Sequence, residues 1–354
     1  MSGWLRTLAG LALALALGGC SLGYYAQSVG GHVDLMQRAR PVEQWVADPT
    51  TPASLRERLL LTQRLRAFAV DELKLPDNAS YRRFAELDRS AVVWNVVATP
   101  ELSLTLQTWC FPVMGCVGYR GYFQRAPADQ LAADLRAQGL EVSVYGVPAY
   151  STLGWTNWLG GDPLLSTFIR WPESELARLL FHELAHQVVY VADDTAFNES
   201  YATAVERLGL RRWLAGAGAA AQQEAAALEA RRQDFRRITA QARRDLEALY
   251  RSRLAPDALR ERKAERLQQL RDDHARLKAG PWRGFAGYDA WFAQVNNAAL
   301  AVQGAYEDLV PAFERLFERE GRDFSRFHAA VMSLAVLPAE QRRAALQALG
   351  AATS

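Results

Sequence analysis

Cysteine, methionine and histidine are scarce in this chain, at 3, 4 and 5 of 354 residues. Three cysteines are too few for the cysteine-rich sets of four that usually hold structural zinc, so a metal centre here would have to be built from histidine and carboxylate. An excess of charge of one sign is also missing. There are 41 Lys and Arg against 39 Asp and Glu, for a formal net charge of +2, and the two signs are interleaved. No basic stripe marks a nucleic-acid surface, and no nucleic-acid partner is expected. Beyond the first twenty residues there is no second membrane segment. What remains is long enough for one large or two ordinary domains with a real core.

The first residues do not read as part of the fold. Arg6 precedes the apolar run LAGLALALAL and then LGGCSL. So short an apolar segment, ending in small residues, has the layout of a secretion signal and is too short to span roughly 30 Å of hydrocarbon. LGGC resembles the bacterial lipobox, which implies cleavage before Cys20 and acylation of that cysteine, giving a membrane anchor through an N-terminal lipid. Ser21 carries no aspartate-type retention signal, so the expected location is the bacterial outer membrane, facing the periplasm. Cys110 and Cys116 in WCFPVMGCVGY then form an even pair in an oxidising compartment, and a disulfide between them is expected.

Along the rest of the chain the hydrophobic period changes. SLRERLLLTQRLRAFAVDEL is amphipathic at helical spacing and is stopped by Pro76. AVVWNVVAT, LSLTLQTW, CVGYRGYF and EVSVYGV are short, rich in Val, Tyr and Thr, and read as strands. ADQLAADLRAQG between the last two reads as a helix closed by Gly139. Residues 216–280 hold two long charged helical stretches meeting near Pro256, which suggests a helical hairpin that reads as a solvated arm, with a protein-partner surface as the alternative. The expected architecture is α+β and predominantly helical, a zincin-like metallopeptidase body with a small mixed β-sheet plus that hairpin. The expected division is 1–19 signal peptide, 20–75 lipidated N-terminus and helical lead, 76–215 catalytic core, 216–280 hairpin and 281–354 C-terminal helical part of the body.

The chemistry lies in FHELAHQ, residues 181–187. WPESELARLLFHELAHQVVYVA starts with Pro172 at a favourable first position and contains no breaker through Ala192, which predicts one helix. His182 and His186 are four apart on it and project from one face, about 6 Å apart along the axis, so both imidazoles reach one ion. Glu183 stands beside His182, where it can take the proton of a water whose pKa a metal lowers to about 7. VADDTAFNESYATAVERLG supplies a turn and a second helix, expected to end at Gly209. In an antiparallel pair, residues equidistant from the turn face each other, and His186 and Glu199 have their midpoint between Ala192 and Asp193. Glu199 is therefore expected as the third ligand; two histidines and a carboxylate leave a fourth position for water, the pattern of a catalytic zinc. Glu206 lies two turns further along the same face, opposite His182, as a hydrogen-bond acceptor for that ring or a rival ligand. Asn198 is a further candidate for supporting a ligand. Tyr306, with Tyr201 and Tyr190 as competitors, is a candidate donor to a tetrahedral oxyanion. AYSTLGWTNW is a candidate substrate wall. His274 reads as solvated, and neither it, His328 nor His32 has metal spacing.

FHELAHQ, FNESYATAVE, AYSTLGW, WCFPVMGCVGYRGYF and VVWNVVA, in the chain together with NNAALAVQGAYEDLVPAFERLF near the end, resemble the bacterial lipoprotein family of zinc aminopeptidases, a gluzincin-like branch of the H-E-x-x-H metallopeptidases. The resemblance covers nearly all of the chain after the leader. It implies one Zn2+ per chain held by His182, His186 and Glu199, Glu183 as general base, and a peptide substrate. The G-x-M-E-N stretch of well-studied gluzincin aminopeptidases is absent, which leaves endopeptidase activity open. Two other functions remain open at this point: a non-enzymatic envelope lipoprotein binding a partner through its hairpin, and a zinc amidase acting on a cell-wall or other non-peptide amide.

Overall fold

The computed structural model describes residues 23–111, 115–149, 160–303 and 309–351. Within them the protein is mostly helical with small mixed sheets, an α+β arrangement. Among the described residues no helix is long and apolar enough to cross a membrane.

Helix α1 (23–38) leads through strand β1 (Arg40–Pro41) and α2 (Val42–Ala47) into α3 (Ala53–Asp71). Leu55, Leu59, Thr62, Arg66 and Ala69 repeat every three or four residues along α3, and with Leu61 and Leu65 they form the stripe it buries. Strand β2 (Arg83–Ala85) pairs antiparallel with β1 and parallel with β8 (Leu164–Leu165), forming a small mixed sheet. A second sheet, order β6-β3-β7, is built from β3 (Val93–Pro100), β6 (Arg120–Tyr122) and β7 (Leu140–Val147), all antiparallel. Helix α4 (Arg125–Ala137) covers it with Ala128, Ala132 and Leu135. Gly139, at φ +81°, turns the chain from α4 into β7, a left-handed conformation that favours glycine.

LSLTLQTW departs from expectation. Only its last residue enters a strand, β4 (Trp109–Phe111), and the stretch before it is irregular. Ser103 Oγ accepts from the Thr105 N–H at 3.0 Å, and the Ser103 carbonyl accepts from the Asn297 side chain at 3.1 Å, so local polar bonds replace a ladder. CVGYRGYF is divided at Gly118 and Tyr119 into β5 (Gly115–Val117) and β6. β4 and β5 pair antiparallel with Cys110 opposite Cys116, and the two are joined by a disulfide.

The main core gathers α2, α3, α5 (Glu173–Ala185), α6 (Thr195–Leu214) and the C-terminal helices α11 (Val310–Arg319), α12 (Phe324–Ala335) and α13 (Ala339–Ala351). A separate apolar cluster joins α7 (Ala219–Tyr250) to α8 (Pro256–Ala279), α9 (Asp289–Ala293) and α10 (Asn297–Gln303) through Phe235, Leu246, Leu270, Trp282 and Phe292. His274, expected to be solvated, is buried here and stacks on Phe292 with ring centroids 4.1 Å apart. The charged character of α8 hides its inner face, because one apolar or aromatic contact per turn suffices to bury it.

Two helix ends also differ from the sequence reading. α5 stops at Ala185, seven residues short of Ala192, with His186 as its C-cap. The run Val188, Val189, Tyr190, Val191 is β-branched or aromatic and a poor helix former. The Asn198 side chain meets that run, accepting from the Val191 N–H at 2.8 Å and donating to the Val191 carbonyl at 2.7 Å. α6, by contrast, passes straight through Gly209 to Leu214. A Cβ on Gly209 would sit 2.6 Å from Leu73 and 2.9 Å from Phe181, so this glycine serves a close approach between elements and not a helix end.

Candidate metal centre

α5 and α6 pack side by side, joined by a turn that Asp194 organises. Asp194 caps α6 by accepting from the Phe197 N–H at 3.1 Å, and its other oxygen accepts from the buried Arg342 at 2.8 Å. The clasp ties the turn to α13. Because His186 keeps helical dihedrals at the C-cap (φ −58°, ψ −22°), the four-residue spacing survives the early end of α5.

His182 Nε2 lies 3.2 Å from His186 Nε2 and 3.3 Å from Glu199 Oε2, and His186 Nε2 lies 3.7 Å from Glu199 Oε1. One donor atom from each of the three residues lies within 4.8 Å of the others. On the far edge of the His182 ring, Nδ1 donates to Glu206 Oε2 at 3.0 Å. With its proton on Nδ1, neutral His182 presents a lone pair at Nε2. Two imidazole lone pairs and a carboxylate oxygen then converge, a repulsive arrangement that a cation relieves. The donor set suits zinc, and the buried His186 Nδ1, which has no partner among the described residues, leaves that ring free to keep its proton on the far side from the cluster.

Without a metal ion, a proton takes the place of the cation, and the two rings respond oppositely. Burial pushes the His182 pKa down, but its bonds to Glu199 and Glu206 and the charge of Glu183 outweigh burial and raise it well above the usual value. His186 is pushed down to about 4, by burial first and then by the charge on His182, against the pull of Glu199. Burial works to raise the Glu199 pKa, but the two histidines bring it below its usual value. Glu206 falls to about 2: burial opposes this, and the His182 bond with the charges of Arg178, His182 and Arg232 overcomes it. Glu206 is also ion-paired to Arg178, so it is a carboxylate under all ordinary conditions.

Glu183 is half-buried on α5 beside His182. Its charge acts on Tyr81, a residue that the sequence did not single out. Tyr81 is buried at φ +62°, its hydroxyl has no hydrogen-bond partner among the described residues, and its phenol pKa is pushed up by burial and then by the Glu183 and Asp162 carboxylates. Tyr119 is another such residue; burial and then Tyr145 and Glu199 raise its phenol pKa. Nothing in the spacing of single tyrosines outside the regular elements marks them as site residues, because their position depends on tertiary packing. Arg178 did carry a signal, lying four residues before His182 and eight before His186 on one helical stripe.

Of the tyrosines considered as oxyanion donors, Tyr201 is fully buried and its hydroxyl donates to His328 Nδ1 at 2.8 Å, while His328 Nε2 donates to the Leu73 carbonyl at 2.8 Å. Tyr201 is thus a core residue, and His328 is its partner. Tyr190 is 40% exposed and within electrostatic reach of Glu199. Tyr306, Cys20 and residues 150–158 of AYSTLGWTNW lie outside the described residues. Asn198, expected to support a ligand, has both ends of its amide on Val191, so its support acts on the turn.

The α+β body brings two histidines and a glutamate to one point, with a second glutamate beside them, and the three could hold a metal ion. Residues 23–346 match the model of the family described as "Putative aminopeptidase", and the chain belongs to that family. No curated protein and no solved structure gives a match.

Proposed function

We propose that the protein is a zinc-dependent peptidase, acting as an aminopeptidase, with one zinc held by His182, His186 and Glu199 in a zincin-like body. The observation that carries this reading is the convergence of the two Nε2 atoms and the Glu199 carboxylate, next to Glu183 and within a chain of the aminopeptidase family. Zinc held by His182, His186 and Glu199 would supply Lewis-acid chemistry, lowering the pKa of the attacking water toward neutral pH. The chain supplies the rest. Glu206 holds the His182 ring in one tautomer. Glu183 takes the proton of the attacking water and returns it to the leaving amine. Tyr306 is carried in this proposal as the donor to the oxyanion.

Purified protein lacking residues 1–20 is expected to bind about one zinc per chain. It should release the first residue from peptides with a free amino terminus and leave N-terminally blocked peptides intact. Equal cleavage of blocked peptides would make it an endopeptidase; absence of zinc under metal-replete conditions would overturn the metal reading.

A lipid on Cys20 and a periplasm-facing place at the outer membrane belong to the same proposal. Cys20→Ser should take up no labelled fatty acid and should leave the membrane fraction. Label entering that variant would contradict acylation at Cys20.

A further inference from the structure

The charged arm, read from sequence as a solvated hairpin or a partner surface, reaches the metal centre. Glu206 uses its two oxygens differently: Oε2 accepts from His182 Nδ1 at 3.0 Å, and Oε1 is paired with Arg178 Nη2. The other arm of the same guanidinium, Nη1, donates to Glu229 Oε2 on α7 at 2.9 Å. Glu229 also accepts from Arg232 at 3.2 Å and from Arg236 at 2.8 Å, and Arg232 is paired in turn with Glu175 on α5. Arg178 is 7% exposed, so its orientation is set by these partners more than by water.

A guanidinium is a rigid planar fork. With one arm held by Glu229, its plane and position are fixed, and with them the oxygen of Glu206 that the other arm engages. That choice leaves Oε2 aimed at His182. Hydrogen bonds of this kind, in a poorly solvated setting, reinforce one another along the chain of groups.

We propose that Glu229, on helix α7 of the charged arm, is a positioning residue for the metal centre, acting through Arg178 and Glu206 on the orientation of His182. This rests on the reading of His182 as a ligand. The arm is then an outer support of the site, and a change at α7 alters metal affinity from more than two residues away.

Glu229→Gln is the gentle test, since it is isosteric and the Glu229 side chain is 28% exposed. Arg178→Lys is the second variant, keeping the charge and removing the fork. Glu224→Gln, at an exposed position of the same helix, is the control. Two readouts are taken: zinc affinity by competition with a chelator, and the exchange-protected Nδ1–H signal of His182 by NMR in the zinc-free protein. Glu229→Gln should weaken zinc binding about 10-fold, and Arg178→Lys should approach 100-fold, the range of changes to groups that hold ligand histidines. In both variants the Nδ1–H signal should lose protection, while the control should leave both readouts unchanged. If Glu229→Gln retains wild-type affinity and a protected signal, whether or not its melting temperature falls, the ion pairs are merely structural and the proposal is wrong. Wild-type protein that takes up no zinc refutes the metal reading and the claim on the centre with it, while the N–H signal still decides whether Glu229 orients His182.

Discussion

Glu183→Gln should retain fold and zinc but lose about three orders of magnitude in kcat, within the range of about 10²–10⁴ that a positioned general base contributes. The carboxamide has nearly the same shape and can still accept a hydrogen bond, so what is removed is the capacity to take a proton. Glu183 lies beside His182 but is not among the residues whose donor atoms converge, and for this reason metal content is expected to be unchanged. Zinc content and steady-state kinetics on the same preparation check both halves. Turnover within tenfold of wild type would remove Glu183 from the role of base.

The second large effect separates two glutamates seven residues apart on α6. Glu199→Ala should abolish tight zinc binding, whereas Glu206→Ala should weaken it about 10- to 100-fold. Helix arithmetic places both carboxylates on the face toward α5 but about 10.5 Å apart along the axis. The structure shows what that offset does. Glu199 meets the Nε2 atoms of both histidines, at 3.3 and 3.7 Å, while Glu206 meets His182 only at Nδ1, on the opposite edge of the ring. A group bonded to Nδ1 orients the ring and does not share the ion at Nε2. Glu206→Gln is the companion variant, since its amide oxygen can still accept from Nδ1 and it leaves less of a void beside the buried Arg178. Chelator competition on the three variants decides the ranking. Tight binding by Glu199→Ala together with loss in Glu206→Ala would reverse the assignment.

Much of the site was legible because local rules govern it. Two histidines four apart lie on one helical face whatever surrounds them, whereas the short turn assumed before Thr195 is replaced by a link over residues 186–194. Counting from the turn put Glu199 opposite His186 and Glu206 opposite His182; in the structure Glu199 lies at 3.3 Å from His182 Nε2 and 3.7 Å from His186 Nε2, and Glu206 meets His182 at Nδ1. The helix ends were less legible. Ala192 was a reasonable end for α5 on breakers alone, but Asn198 engages the backbone of Val191 from across the turn, a contact that no local pattern encodes. Gly209 looked like a stop signal because glycine often follows a helix; here it is small so that Leu73 and Phe181 can approach.

The sequence by itself determined the donor chemistry: the identity and pitch of His182, Glu183 and His186, the carboxylates at Glu199 and Glu206, and the mixture of helical and strand periods. Such features follow from residue type and from the 3.6- and 2-residue repeats, which act over a few neighbours. Only the tertiary structure decided that Arg178 is shared between Glu206 and Glu229, that Tyr81 is buried beside Glu183, and that His274 and His328 belong to cores. These depend on which charged or aromatic side chain meets which between separate elements of the chain, and burial alone gives such a contact its strength, because water no longer screens it.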